Sequence, residues 1–370
     1  MKFRTTKEKL FSALNETNKI IPLRTTLPIL SCVFLEAKQN KLNLRATDLE
    51  QTIITCFDAE VSIEGEIAVP SNRFAEIISA LPVGPLEISL SENREVEISS
   101  PKGIYKIIGK DSTEYPETPS LNKEQQIKLQ GKDLLSIINN TLYAVSKDDL
   151  KPALCGIYLN FEKERITAVS TDGHRLVKYI KNTNNNNPEG SIIIPGKFFN
   201  VLKNNIKPNG DVFINLSENH IDITENNTTV ITRIIKESFP DFNSVIPDVK
   251  ENKASITTND LIEAIKRVSI FSNKTTKQIL LSFETNELII STEDKETKSS
   301  AKEHVVCDFE GEKNTVAYNA QYLKEVVQHL DNNKIDIFLG NALTAAVFKP
   351  QAKKDDIDIT ALLMPLRTKN

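Results

Sequence analysis

Ala168-Val169-Ser170-Thr171-Asp172 is the stretch that decides how this chain is read, because its pattern recurs in two other places. It is a strand-like run that stops in Thr-Asp, a pair suited to a turn because both side chains can hydrogen-bond nearby backbone. Arg45-Ala46-Thr47-Asp48 ends in the same way, and Thr47 stands 124 residues before Thr171. Ile290-Ser291-Thr292-Glu293 is the third copy, with Thr292 another 121 residues on. Three further sets of markers recur in the same order. Leu10, Phe11 and Leu14 reappear as Leu134, Leu135 and Ile138, then as Leu261, Ile262 and Ile265. Phe74, Ile77 and Ile78 reappear as Phe198, Val201 and Leu202, then as Leu323, Val326 and Val327. Pro116, Pro240 and Pro365 complete the pattern. Spacings this regular describe three homologous domains of about 120 residues. Their expected bounds are 1–121, 126–248 and 253–370, with polar stretches between them.

Each copy has one grammar. An amphipathic helix comes first, with apolar residues on one face; in the first copy Thr5-x-x-Glu8 reads as a capping box. Alternating strands follow, such as Lys41-Leu42-Asn43-Leu44-Arg45. A second helix begins at Ser71, Gly196 or Asn319, residues acceptable as caps. Further strands close the unit, among them 95–98 and 103–108. Two helices and about eight strands per copy imply an α+β arrangement, with helices on one face of antiparallel sheets. The Asn-rich stretch 182–188 reads as a loop inside the second copy.

Composition excludes several function classes. The opening Met1-Lys2-Phe3-Arg4-Thr5 has no apolar core of a signal peptide. No apolar run approaches the ~20 residues that span a bilayer. Cys32, Cys56, Cys155 and Cys307 are far apart, which suits small buried or half-buried thiols of a reduced, cytoplasmic compartment. His174, His220, His304 and His329 are equally scattered, and no metal site is expected. No Gly-rich phosphate loop is present, so no nucleotide cofactor is expected either.

The net charge is −4, whereas a protein that coats DNA is usually basic. Charge is therefore either unrelated to nucleic acid or sorted onto one surface. The expected helices, 7–19, 71–80, 131–143, 196–205, 258–267 and 319–330, hold ten cations and seven carboxylates. That balance of +3 leaves −7 on the rest of the chain. The bias is modest, and it matters only if all six helices share one face.

Thr171-Asp172-Gly173-His174-Arg175-Leu176 resembles a segment of the bacterial beta sliding clamps, the beta subunits of DNA polymerase III. Met364-Pro365-Leu366-Arg367 resembles their C-terminal ending. Arg24-Thr25-Thr26-Leu27-Pro28-Ile29-Leu30 and Phe239-Pro240-Asp241-Phe242 resemble two further segments, in the right order, so the likeness covers the whole chain. It implies a non-catalytic processivity factor: a head-to-tail homodimer whose ring encircles double-stranded DNA without regard to sequence. Helices would line the hole and sheets would form the outer wall. A ring holds DNA topologically, so a weakly positive lining and an acidic exterior suit it.

The resemblance also implies sites. A peptide-binding pocket between the second and third domains would be walled by Leu154, Thr171, Gly173, His174, Arg175, Leu176, Pro240, Val245, Tyr322, Ala346, Leu362, Met364, Pro365, Leu366 and Arg367. Its guests would be short linear motifs of the DNA polymerase III alpha subunit, the clamp loader, other polymerases, ligase and mismatch-repair proteins. Ser244 and Ala346 depart from the family, which often has Arg and Ser there. DNA contacts fall to Arg24, Arg73, Lys147, Lys151, Lys197 and Lys203, although each also suits an ordinary solvated surface. At the subunit interface Tyr105 and Ile107, on an edge strand, would meet Ile270 and Phe271 of the partner; all four are equally compatible with a core. Thr297-Lys298-Ser299-Ser300 lacks the acidic run that many clamps place beside this joint.

Two rivals stand beside the clamp. One is an enzyme in which Asp172 orients His174 as a general base, although no nucleophile accompanies them. The other is a repeat-built interaction scaffold that does not encircle DNA.

Overall fold

A computed structural model of the chain describes residues 1–119, 125–183, 188–248, 252–330, 332–340, 344–352 and 356–367. Most of the expected inter-domain stretches 121–125 and 248–253, and the centre of the Asn-rich loop, lie outside the described residues.

The first copy runs β1 (Lys2–Thr6), α1 (Lys7–Thr17), β2 (Cys32–Lys38), β3 (Lys41–Thr47), β4 (Gln51–Asp58), β5 (Glu60–Ile63), β6 (Gly65–Pro70), α2 (Ser71–Ala80), β7 (Pro85–Leu90), β8 (Glu95–Ser100) and β9 (Gly103–Ile108). The second runs β10 (Gln125–Gln130), α3 (Gly131–Thr141), β11 (Gly156–Glu162), β12 (Arg165–Thr171), β13 (Arg175–Asn182), β14 (Gly190–Pro195), α4 (Gly196–Lys203), β15 (Asp211–Leu216), β16 (His220–Glu225) and β17 (Thr228–Arg233). The third runs β18 (Lys253–Thr257), α5 (Thr258–Ser269), β19 (Gln278–Glu284), β20 (Glu287–Asp294), β21 (Ser299–Glu310), β22 (Asn314–Asn319), α6 (Ala320–Gln328), β23 (Lys334–Phe338), β24 (Ala346–Pro350) and β25 (Ile357–Leu363). The α+β grammar holds in every copy.

The chain divides into two compact units, Met1–Leu135 with Lys197–Ile234, and Ser136–Gly196 with Ile235–Asn370. This division cuts through the central copy, because each of that copy's sheets is continued by a neighbour's strand. In the first unit an eight-stranded sheet runs β10-β15-β16-β17-β4-β3-β2-β6, joined across copies where Val230 of β17 faces Ile53 of β4. A five-stranded sheet, β5-β1-β7-β8-β9, stands with it. In the second unit a twelve-stranded sheet runs β14-β11-β12-β13-β25-β24-β23-β18-β21-β20-β19-β22. Its joint across copies pairs Val177 of β13 with Ala361 of β25. Such joints satisfy edge hydrogen bonds that separate domains would leave open.

The apolar periodicity of the helices becomes their buried stripe. Leu10 and Leu14 of α1 and Phe74 and Ile78 of α2 form one cluster with Val33, Leu35, Leu42 and Leu44 from the sheet. In the second unit Leu261, Ile265 and Val268 of α5, and Leu323, Val326 and Val327 of α6, are buried. The marker leucines and phenylalanines thus recur because they are core. Burial at about 25 cal/mol per Å² of apolar surface makes these stripes the main source of helix stability.

Local details differ from the sequence reading. The cap of α1 is Thr6, whose Oγ1 accepts from the amide of Lys9 at 3.4 Å, not Thr5. The side chain of Thr5 sits on the strand before the helix, with its hydroxyl buried and unpaired. Ser71 is the first residue of α2 and binds the side chain of Asn18 instead of capping. Asn319 does cap α6, its Oδ1 accepting from Gln321 N at 3.0 Å and Tyr322 N at 3.2 Å. The third Thr-Asp-like marker lacks the tight turn of the other two. There β20 continues to Asp294, whose carboxylate caps a longer turn by accepting from Glu296 N and Thr297 Oγ1.

Among the described residues no helix is long and apolar enough to cross a membrane, and no cluster of three metal-ligating side chains occurs. None of the four cysteines is in a disulfide. Burial pushes the Cys307 thiol up to about 12, so it stays protonated and inert at neutral pH.

Candidate functional site

The centre of the second unit is the turn between β12 and β13. Asp172 Oδ1 accepts from the backbone amides of His174 at 2.9 Å and Arg175 at 3.0 Å. Thr171 Oγ1 donates to the carbonyl of Arg175 at 2.6 Å and accepts from Gly173 N at 3.1 Å. Closing so tight a turn puts Gly173 at φ +87°, in the left-handed region that glycine enters without strain. The consequence is a division of labour. His174 is exposed at the tip, while Arg175 is turned inward and only 7% exposed.

A buried guanidinium must be compensated on every side. Arg175 Nε reaches Asp172 Oδ2 at 3.2 Å, one terminal nitrogen donates to the carboxylate of Glu325, and the other donates to the carbonyl of Tyr143. Its faces are covered by Tyr322, 4.6 Å to the ring centroid, and Tyr143, 5.2 Å. Charge-assisted bonds and cation–π contacts of this kind hold a side chain in one orientation. Burial alone would raise the Glu325 pKa. The hydrogen bonds from Arg175 and Gln321 outweigh that and hold it below the usual carboxylate range. Desolvation pushes the Tyr143 phenol upward, so it stays neutral.

Beside this turn lies an apolar floor. Val169, Leu176, Ala345, Val347 and Leu362 are buried together, with Tyr158, Phe239, Phe242, Ile246 and Phe338 half-buried against them. Tyr158 stacks on Phe239 at 5.2 Å and meets Phe242 at 5.8 Å. The segment after β25 is laid along the turn: Met364 N donates to the carbonyl of His174 at 2.8 Å, and Leu366 N to that of Ala317 at 2.8 Å. Apolar floor, exposed Met364 and polar rim make a surface suited to a short apolar segment whose backbone needs partners.

The structure brings Thr171, Gly173, His174, Arg175, Leu176, Tyr322, Leu362 and Met364 into this neighbourhood. Leu154, Pro365 and Leu366 are half-buried, and Pro240, Val245 and Arg367 are exposed. Ala346 is buried at the start of β24, on the opposite face of the strand from Val347, because successive strand residues alternate. The Ser244 hydroxyl donates to the carbonyl of Asp241 at 2.8 Å and so closes its own turn. The sequence reading missed Tyr143 and Glu325, and also the aromatic trio Tyr158, Phe239 and Phe242. The two phenylalanines lie in the quoted Phe239-Pro240-Asp241-Phe242, and Tyr158 was legible as an alternate residue of β11.

The enzymatic rival loses its geometry here. The Asp172 carboxylate is taken up by two amides and Arg175, and the His174 ring lies 5.9 Å from that of Tyr322 in a parallel stack.

Two other sets of residues were expected to act. Strand β9 is an edge of its sheet, hydrogen-bonded to β8 alone. Ile107, expected to face outward from it, is 6% exposed and belongs to the first copy's core. The alternation of the strand turns Ile104 and Ile108 outward instead, with Tyr105 at the margin. In the second unit Ile270 is 77% exposed and Phe271 partly so, just beyond α5. Nearby, β21 pairs with β20 over 299–306 and turns to β18 only from 307, leaving its other edge open among the described residues. Arg267 of α5 grips Glu303 on that strand. Arg24, Arg73, Lys147, Lys151, Lys197 and Lys203 are all exposed. Lys197 reaches Glu50 at 3.8 Å.

The chain is similar to known proteins over its whole length. Family models described as the N-terminal, central and C-terminal domains of the DNA polymerase III beta subunit match residues 1–119, 128–241 and 243–367. The beta sliding clamp of Staphylococcus epidermidis is 28% identical over 379 residues, covering all of both chains. That of Staphylococcus aureus is 27% identical over 378. Among solved structures, a DNA polymerase sliding clamp from Bacillus subtilis has the same fold over the full length of both chains, with a TM-score of 0.94 at 24% identity. A sliding clamp from Pseudomonas aeruginosa, solved bound to griselimycin, gives 0.93 at 24%.

Proposed function

The chain belongs to the DNA polymerase III beta subunit family, the sliding clamps, and on that premise we propose how its own residues close a ring, pass DNA and hold partners. It is an accessory subunit, not a catalyst. The observation that carries the reading is the run of three clamp domains in order along the whole chain. We take their bounds as 1–121, 126–248 and 253–370.

The protein is a head-to-tail homodimer in the cytoplasm. An open edge invites pairing with another chain, and this molecule has one on β9 and another on β21. Edge β9 of one subunit adds to β21 of its partner, and the reciprocal contact closes the ring. Ile104, Tyr105 and Ile108 meet Ile270, Phe271 and the exposed Val306. Double-stranded DNA passes through the ring irrespective of sequence. Arg24, Arg73, Lys147, Lys151, Lys197 and Lys203 touch phosphates, and a net charge of −4 keeps that attraction weak.

The floor around Leu176 and Leu362, with its rim of His174, Arg175 and Met364, takes short motifs of the Gln-Leu-x-Leu-Phe type. Two large apolar side chains bury there, and peptide ordering holds affinity near micromolar, on the order expected when burial is offset by entropy. The DNA polymerase III alpha subunit, the clamp loader, other polymerases, ligase and mismatch-repair proteins exchange on it.

The test is topological. Purified protein loaded onto circular duplex by a clamp loader stays bound, and cutting the circle releases it. Equal retention on linear DNA with free ends rejects encirclement and leaves the interaction scaffold that does not encircle DNA. Electron microscopy of the purified protein checks for a ring with a duplex-sized hole.

A further inference from the structure

Five side chains of the second unit form one continuous stack. The ring of His329 lies on that of Tyr143 at 4.2 Å with 13° between planes. The Arg175 guanidinium lies over the Tyr143 ring at 5.2 Å and over the Tyr322 ring at 4.6 Å. His174, on the rim, stacks against Tyr322 at 5.9 Å. The stack draws on two copies: Tyr143, Arg175 and His174 come from the second, His329 and Tyr322 from the third.

Arg175 is the centre of this stack, between the two tyrosines. Its in-plane donors are fixed by Asp172, the Tyr143 carbonyl and Glu325. The first two belong to its own copy. Glu325 does not: it comes from α6 and is itself held by Gln321 Nε2 at 3.1 Å. On the same helix Tyr322 stands one turn earlier, and His329 is the residue that caps its C-terminal end. α6 and its C-cap therefore supply the Tyr322 ring over the guanidinium, the Glu325 carboxylate beside it and the His329 ring on Tyr143.

We propose that Glu325 is a positioning residue of the peptide pocket: by anchoring Arg175 between Tyr143 and Tyr322, it sets the Tyr322 ring against His174 and so pre-forms the rim. This deepens the pocket reading above and rests on it. Glu325 need not touch the peptide. Its loss frees the guanidinium to swing, Tyr322 loses the cation that fixes its ring, and the peptide must then pay the ordering entropy that the free protein had already met.

The experiment uses the full-length dimer and a fluorescein-labelled Gln-Leu-Ser-Leu-Phe peptide, read by anisotropy. Glu325→Ala weakens binding about tenfold, while Glu325→Gln, which keeps an acceptor for Arg175, stays within about threefold of native. Glu325→Ala adds little to Tyr322→Ala, because both act through the same ring. Tyr143→Leu removes the ring beneath Arg175 with every charge in place, and it also weakens binding, so the test survives if Glu325→Ala does not fold. Native affinity in both Glu325→Ala and Tyr143→Leu overturns the proposal, and so does full additivity of Glu325→Ala with Tyr322→Ala. A chain ending at Leu363 separates the two levels. If it binds peptide as native protein does, the pocket reading itself is wrong. If it fails to bind while the Glu325 and Tyr143 variants bind normally, only the positioning role is lost.

Discussion

Leu49 and Gly173 occupy the same place in two copies of one turn, at φ +76° and +87°. In the first copy Thr47 Oγ1 donates to the carbonyl of Gln51 at 2.7 Å, and Asp48 Oδ1 accepts from the amides of Glu50 at 2.9 Å and Gln51 at 2.7 Å. In the second, Thr171 and Asp172 make the same bonds to Arg175 and His174. The Thr-Asp pair imposes the geometry, and the residue after it must be left-handed. Glycine meets that demand in one copy, and a leucine is forced into it in the other.

Leu49→Gly therefore stabilises the protein, by about 1 kcal/mol, because left-handed strain in a non-glycine residue exceeds the entropy glycine loses on folding. Leu49 is about half exposed, so little burial is given up. Urea unfolding followed by circular dichroism checks this, and an unchanged or lower midpoint shows that the turn carries no strain. Gly173→Ala runs the other way: it destabilises the turn, displaces His174 and weakens peptide binding.

Truncation after Leu363 removes Met364, whose amide holds the His174 carbonyl, and Leu366, whose amide holds Ala317. Peptide binding is abolished in the titration, while the dimer mass is unchanged, because the described residues removed lie apart from β9 and β21 in sequence and pair with neither. Equal affinity in the truncated dimer places the partner site elsewhere.

Residues on β9 divide by face. Ile104→Lys with Ile108→Lys puts charge on the outward side and shifts the dimer to monomer at nanomolar protein, with each subunit still folded. Ile107→Ala acts on the core instead and costs about 2–4 kcal/mol of stability in unfolding experiments, through the cavity it leaves. Mass photometry and unfolding together separate the two. Should the double lysine variant remain dimeric at nanomolar concentration, this edge is not the joint.

The Arg175–Glu325 contact gives stability a defined pH dependence. The native Glu325 pKa lies below its ordinary value of 4.5, so the unfolded chain takes up this proton first as pH falls. The stabilisation is complete above the ordinary value and is lost as pH drops through the depressed one. Glu325→Gln is therefore less stable than native protein at pH 7, and the gap narrows in acid below the carboxylate range. Paired urea titrations at neutral and acid pH measure it, and a gap independent of pH excludes an ionised Glu325.

Repetition, helix stripes and the Thr-Asp turn were readable from the sequence because they are local: they depend on residue spacing within a turn, a strand or a helix. Leu10 and Leu14, or Leu323 and Val327, reveal their buried face by period alone. The quoted Thr171–Leu176 segment carried the family likeness for the same reason, since side chain and backbone meet within four residues. What the tertiary structure decided was which face each strand presents and which distant residues meet. Ile107 and Ile108 are indistinguishable as sequence, and only the pleat of β9 against β8 sends one inward and the other out. The same one-residue alternation sets Ala346 and Val347 on opposite faces of β24. Glu325 lies 150 residues from Arg175 and meets it because β13 of one copy pairs with β25 of the next, which brings α6 beside the turn. A charge pair at such separation leaves no periodic trace. It is set by the register of strands from different copies, and that register is fixed only when the sheets assemble.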